Sequence, residues 1–380
     1  MASIKTKLCS LGMAAAMLLA LAGCNLSTPS SVGSIGGVDI PAGVYLMAQY
    51  DAYNTASSLA DLATGETASD VKAVLKAECT GTIGDEQVTA TGEEYIARLT
   101  QRSLEYYAAV EQKFADLGAT LEDAAVESVE DSVESLWSTN GDLYAANGIG
   151  KKSVQAYLEN AQKASTILEL VYGPQGSDPV SDAEYTDFLN NECYYIETVQ
   201  FPLVDYSTYT MADDEQKSQI MEQVNACVDE LNRTATGEEA GSTALYEAAS
   251  TYLPPAMETL GATMESAQEA LYYAGAQLYT PDDLAPYGGD GYNSLTDPLD
   301  AVGMGQWTTI DLGTAVLAAR RVDPLKTYTV DQLTKQYDLL TALKGEELQD
   351  QFYAEGAAME HALDQSAMNT YSASKIKKDV

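Results

Sequence analysis

Few side chains in this 380-residue sequence could act as nucleophiles, metal ligands or proton shuttles near neutral pH. His361 is the single histidine, so a Ser-His-Asp relay would have to be built on it alone. It sits in AMEHALDQ, whose spacing predicts a helix with His361 on the solvated face. The five cysteines (Cys9, Cys24, Cys79, Cys193 and Cys227) contain no CxxC pair, and with one histidine they cannot build a zinc site of the usual type. No metal and no cofactor is therefore expected. Carboxylate is what the chain has in abundance: 57 Asp and Glu against 20 Lys and Arg, a formal net charge of −37. Such a surface repels nucleic-acid phosphate and anionic lipid headgroups, so nucleic acid is excluded as a partner. Basic groups and divalent cations are favoured instead.

Before those side chains can be positioned, the amino terminus must be set apart. Lys5 and Lys7 form a short basic region, Leu8 to Leu21 carry no charge, and the run ends in Leu21-Ala22-Gly23-Cys24. Residues 1–23 read as an export signal, too short and wrongly flanked for a spanning helix. The last four residues resemble a bacterial lipobox, which implies cleavage before Cys24 and a lipid on its sulfur. Residues 24–36 are small and polar and are expected to form a flexible tether. No later run of 18 apolar residues exists, so the acyl chains would be the sole anchor, holding the body on the extracytoplasmic face of the cell membrane. Cys79, Cys193 and Cys227 then remain, too few for a disulfide scaffold but enough for one bridge.

From residue 37 to 191 the pattern is helical. Pro41 suits a first helical turn, and Val44, Met47 and Ala48 follow at helical spacing. Residues 61–90 are weakly patterned and predict a loop or short insertion. Thr91 and Glu94 make a capping box for a helix that stops at Gly118. A second helix runs from Thr120 through Trp137, and a third from Ser153 to Gly173-Pro174. Ser181 and Glu184 cap a fourth, short one.

The period then changes. CYYIETVQFPLVDY (193–206) is β-branched and aromatic and predicts a strand. A helix over 213–231 turns Ile220, Val224, Cys227, Val228 and Leu231 inward. Residues 234–292 mix short helical pieces with Pro254-Pro255 and a glycine-rich loop. Two strands are expected near Gln306–Thr309 and Thr314–Val322, turned at Asp311–Gly313. Beyond Pro324 the helical period returns: Thr329 and Gln332 cap one helix, and a second carries Leu348, Phe352, Met359 and Leu363. The expectation is an α+β protein, with a helical domain at 37–191 completed by 326–380 and an α/β insert at 192–325.

The order of these motifs resembles PrsA/SurA-type foldases with a parvulin-type peptidyl-prolyl isomerase domain. NGIGKKSVQAYLENAQKASTILELVYGPQGSDPVSDAEYTDFLNNECYYIETVQF (147–201) is similar to the region joining chaperone helices to a parvulin strand. GQWTTIDLGTAVLAARRVDPL (305–325) resembles the closing parvulin hairpin, SIGGVDIPAGVY the entry to the first chaperone helix, and the segment from Leu343 to Ile376 the carboxy-terminal helices. The resemblance implies a chaperone whose partners are unfolded or newly exported proteins. It also implies two histidines in the middle of the sheet. Those positions fall on Gln200 and Ala315, and 192–325 contains no histidine. Glutamine can still donate and accept hydrogen bonds; alanine can do neither. A weak or inactive isomerase domain retained for client binding is therefore expected, with Phe201, Leu299, Met304 and Trp307 as candidates for its apolar pocket. The 25 tyrosines against four phenylalanines suit a wet, promiscuous client surface. Two other readings stay open: an active prolyl isomerase, and a lipid-anchored solute-binding protein, which would need two comparable β/α lobes.

Overall fold

Val32 and Ile35 are fully buried although their neighbours are serine and glycine, because they face inward from a strand. The computed structural model describes residues 29–64, 70–205, 208–241, 243–264, 267–289 and 291–379. The expected export signal and Cys24 lie outside the described residues. Strands β1 (Ser31–Ile35) and β2 (Val38–Pro41) form a hairpin turned at Gly36 and Gly37, both at positive φ. Residues 31–35 therefore are not tether, as composition suggested; an irregularity in register between Ser31 and Ser34 lets Val32 and Ile35, three residues apart, both be buried.

Helix α1 (Ala42–Thr64) follows, then α2 (Val71–Lys76), capped by the Asp70 side chain. Next comes a hairpin of β3 (Glu78–Ile83) and β4 (Glu86–Thr91), turned at Gly84. The expected loop over 61–90 is thus largely regular structure. Only Cys79 and Val88 of the hairpin are buried, and its outer face is held by polar pairs such as Thr80 Oγ1 and Thr89 Oγ1 at 3.0 Å. Helix α3 (Gly92–Asp116) starts from the expected capping box: Thr91 Oγ1 accepts from Glu94 N at 3.3 Å, and Glu94 accepts in return from Thr91 N. Helices α4 (Asp123–Ala146) and α5 (Lys151–Tyr172) follow.

Helix α6 (Asp182–Asn191) leads into β5 (Tyr194–Pro202), α7 (Asp214–Thr234) and α8 (Thr243–Thr259). Helix α8 runs through Pro254 and Pro255 where only short pieces were expected. Proline normally ends a helix; here Leu245, Ala249, Leu253 and Ala256 bury one face in a core and hold the turns together. Strand β6 (Ala274–Tyr279), which the sequence pattern did not reveal, precedes α9 (Asp297–Val302), β7 (Thr308–Asp311) and β8 (Ala315–Val322). The sheet order is β7-β8-β5-β6 and every neighbouring pair is antiparallel. Two comparable parallel-sheet lobes, the requirement of the solute-binding reading, are absent from the described residues.

Helices α10 (Val330–Tyr337) and α11 (Leu339–Ala358) follow. The chain ends in β9 (His361–Leu363) and α12 (Gln365–Thr370). His361 is therefore on a strand, paired with Ile35, and Leu363 is paired with Gly33; neither continues the helix.

The fold is α+β and divides into two units. One comprises residues up to Gln112, Asp123–Asn160 and everything from Gly356; the other comprises Lys113–Glu122 and Ala161–Glu355. In the first, β9 from the end of the chain joins β1 and β2 from its beginning, so both termini build one unit. In the second, the four-stranded sheet buries both faces. Val199, Phe201, Val316 and Ala318 meet α7 and α8 on one side, and Ile196, Leu317 and Ala319 meet Leu295 and Leu299 on the other. This second unit extends beyond 192–325, because α6, α10 and the start of α11 pack with the ends of β5, β6 and β8.

Candidate functional site

The antiparallel register decides where the two marked sheet positions go. Gln200 pairs with Leu317 and Ala315 with Pro202, which places Gln200 and Ala315 on the same face of the sheet, on adjacent strands. Gln200 is half-buried and Ala315 buried. Around them this face is apolar, filled by Leu295, Leu299, Ile310 and Leu317.

The four residues expected to line one pocket are separated. Phe201 and Trp307 are buried on the opposite face, beneath α7 and α8. Leu299 is buried on the Gln200 face. Met304 is exposed and edges a cavity of about 50 Å³ beside Cys193, Tyr195 and Arg321. Alternation along β5 alone separates Gln200 from Phe201, a distinction that adjacency in sequence conceals.

The polar centre of the sheet lies elsewhere. Glu197 on β5 and Arg320 on β8 are register partners, 0 and 2 % exposed. Arg320 Nε and Nη2 donate to Glu197 Oε2 at 2.8 and 2.7 Å. Nη1 donates to the carbonyls of Ala235 and Gly237, and Nη2 to that of Glu239. Gly241 N donates to Glu197 Oε1 at 2.6 Å. The guanidinium also stands 5.0 Å from the ring centre of Trp307, whose Nε1 donates to the Ala235 carbonyl. A buried ion pair with every guanidinium donor used fastens the 235–241 segment to the sheet, and leaves no valence for a substrate. No local pattern in the sequence joins the two, because Glu197 lies 123 residues before Arg320.

Arg321, on the other face, stacks 3.8 Å above Tyr194 and faces Asp300, to which the Tyr194 hydroxyl also donates at 2.7 Å. A concavity of about 390 Å³ in this unit is lined by Phe188, Thr280 and Leu343 and by carboxylates including Glu192, Asp282 and Glu346. Its lining can attract basic groups and repel anions. Among the described residues no three His, Cys, Asp or Glu side chains converge as metal ligands.

Cys79, Cys193 and Cys227 are free and buried; the one bridge that composition left room for is not formed. Burial pushes the thiols of Cys193 and Cys227 up to about 12, so neither is a thiolate nucleophile at neutral pH. His361 lies 3.6 Å from Glu105, a buried carboxylate that also accepts from Gln101, and no serine completes a relay with it in the hydrogen bonds observed.

No protein-family model matches this chain, and no curated protein matches it. Among solved structures, the crystal structure of foldase protein PrsA from Streptococcus pneumoniae str. Canada MDR_19A is similar over 78 % of this chain and 99 % of that chain, with 10 % identity and a TM-score of 0.35. The architecture accordingly rests on the strand order and packing above. No helix of the described residues is long and apolar enough to cross a membrane.

Proposed function

We propose that this protein is a lipid-anchored extracytoplasmic foldase or chaperone that binds unfolded exported proteins, and that its α/β unit, parvulin-like over 192–325, is weak or inactive as a prolyl isomerase. The observation that carries this reading is the discontinuous architecture. Both ends of the chain build one largely helical unit, and an antiparallel α/β unit is inserted between them. That is the arrangement implied by the order of sequence motifs. The lipobox-like Leu21-Ala22-Gly23-Cys24 supports anchoring through Cys24 at the cell membrane.

Weak isomerisation follows from what surrounds the sheet centre. Twisting a prolyl amide over a barrier of about 18–20 kcal/mol needs a desolvated pocket with hydrogen bonds that favour the twisted form. Gln200 is the one polar side chain at the two marked positions, Ala315 adds none, and Leu317 lies directly opposite Gln200. The buried Glu197–Arg320 pair is already saturated.

The test is suppression of aggregation of an unfolded exported protein by the full chain, run beside a proline-limited refolding assay. Suppression with an unchanged refolding rate is the expected pair of results. Failure to slow aggregation at stoichiometric protein overturns the chaperone reading, and a clear acceleration of refolding replaces it with the active-isomerase reading.

A further inference from the structure

Helical serines and threonines in this protein usually return their hydroxyl to the carbonyl four residues earlier. Ser103 does so to Leu99 at 3.0 Å, Thr166 to Gln162 at 3.0 Å and Thr251 to Glu247 at 2.9 Å. Thr100, one turn before Ser103 on α3, does not. Among the described residues its Oγ1 is a buried side-chain polar atom with no hydrogen-bond partner, and the residue is 3 % exposed. Leaving a buried hydroxyl unpaired is unfavourable.

Thr100 lines a cavity of about 350 Å³ in the first unit, between α1, α3 and the terminal segment that includes α12. Three buried polar residues share its lining with the buried Ile96 and Leu104. Beside Thr100 are Tyr45 and Gln49, both buried, with Gln49 Nε2 donating to Tyr45 Oη at 2.9 Å. Burial raises the Tyr45 pKa, so it remains a neutral phenol. The walls are apolar, formed by Ile96, Leu104, Leu363 and Met368, and the exposed rim carries the carboxamides of Gln101, Gln365 and Asn369. Glu93 is the only carboxylate on the lining.

We infer that this cavity binds the tyrosine side chain of an uncharged peptide segment. Apolar walls with a polarizable methionine suit an aromatic ring. Buried polar side chains on the lining, and an unpaired Thr100 hydroxyl enclosed just behind it, suit a ring with one polar tip rather than a plain phenyl group. One χ1 step interchanges the Thr100 hydroxyl and methyl without changing side-chain volume, so the hydroxyl can turn to meet a ligand. Rim carboxamides both donate and accept, as peptide N–H and C=O groups require. Glu93 and the acidic surface disfavour an anionic ligand. The choice of a peptide as ligand rests on the client-binding reading above.

The experiment is an NMR titration of the full chain with blocked glycine pentapeptides whose central residue is tyrosine, phenylalanine or glutamate. The tyrosine peptide is expected to perturb α3 and α12 and to bind about tenfold more tightly than the phenylalanine peptide, the discrimination of one hydrogen bond. The glutamate peptide should show no saturable binding. Thr100→Val should bring tyrosine affinity down to the phenylalanine level, and Ala97→Trp at the exposed mouth should remove both. Equal binding of tyrosine and phenylalanine, or a ratio untouched by Thr100→Val, overturns the inference. Aggregation assays on the same proteins separate the two readings. Suppression without peptide binding sinks the tyrosine site alone; discriminating peptide binding without suppression sinks the chaperone reading alone.

Discussion

Glu197–Arg320 and the Thr100 cavity are both buried polar centres, and they are built in opposite ways. In the sheet, each guanidinium donor meets an acceptor and both carboxylate oxygens are occupied. In the helical unit, a hydroxyl stands unpaired beside a cavity of about 350 Å³. A saturated centre has nothing left to offer a ligand and acts as a fastening. An unsaturated one has spare hydrogen-bonding capacity and room to use it. The saturated centre shares its sheet with the marked positions Gln200 and Ala315 but lies on the opposite face, and the unsaturated one lies on a helix that the sequence marked only by its cap.

Breaking the fastening should have the largest effect. Arg320→Met leaves the fully buried Glu197 without its cation and takes a donor from three carbonyls, of which Ala235 keeps the Trp307 bond, and is expected to destabilise the second unit by about 3–5 kcal/mol in urea unfolding. The pair Glu197→Leu with Arg320→Met should recover most of that loss; if the double variant is as unstable as the single one, the network is more than a charge-compensated fastening.

Trp307→Phe keeps the ring but removes the Nε1 bond to Ala235 and weakens the stack with Arg320. About 1–2 kcal/mol should be lost in the same measurement.

Thr100→Val is the counterpart in the other centre. Removing an unpaired buried hydroxyl at constant shape should leave stability unchanged or raise it by up to about 1 kcal/mol. A clear drop in melting temperature would show that Thr100 is held by a structural partner and would dissolve the contrast.

The smallest effect belongs to an exposed pair in the sheet unit. Lys217 Nζ donates to Asp311 Oδ2 at 2.8 Å, and this bond, with the Gly313 N–H, holds the Asp311 carboxyl below its usual value. A lowered folded pKa means stability that is present above the unfolded value near 3.8 and lost as pH falls through the folded one. Both side chains are some two-fifths exposed, so Lys217→Met should cost about a few tenths of a kcal/mol at pH 7. That difference should shrink in acid titrations as pH falls below 3.8 and vanish once it passes the lowered folded value.

Elements announced by short-range chemistry were legible in the sequence. The capping boxes at Thr91, Ser181 and Thr329 all form, and β5 and the β7–β8 hairpin lie where alternation placed them. What escaped detection depends on tertiary packing. The β3–β4 hairpin carries its alternation on threonine and glutamate, and AGAQLY becomes β6 only by pairing with β5. Pro254 and Pro255 are tolerated because the core holds the inner face of α8. Of the candidate site, the identities at Gln200 and Ala315 were readable, but the face each residue takes was not. Phe201 and Trp307 point away from Leu299 because neighbouring residues of a strand alternate. Thr100 sits beside the apolar stripe of its helix, and its missing bond becomes visible only among its neighbours.

The pairing of β9 with β1 has a further consequence, for the order in which the molecule can be made. Strand β1 starts at Ser31, and its partner ends at Leu363, over three hundred residues later. Until that late strand arrives, the three-stranded sheet is a two-stranded ribbon with one side bare, and such ribbons are marginal in water. Most of the intervening unit comes from one continuous stretch, Ala161–Glu355, and can settle first. The first part of the chain to emerge is thus the last to be completed, and closing so long a loop is slow. The longest wait in folding is therefore spent with one edge of that sheet open.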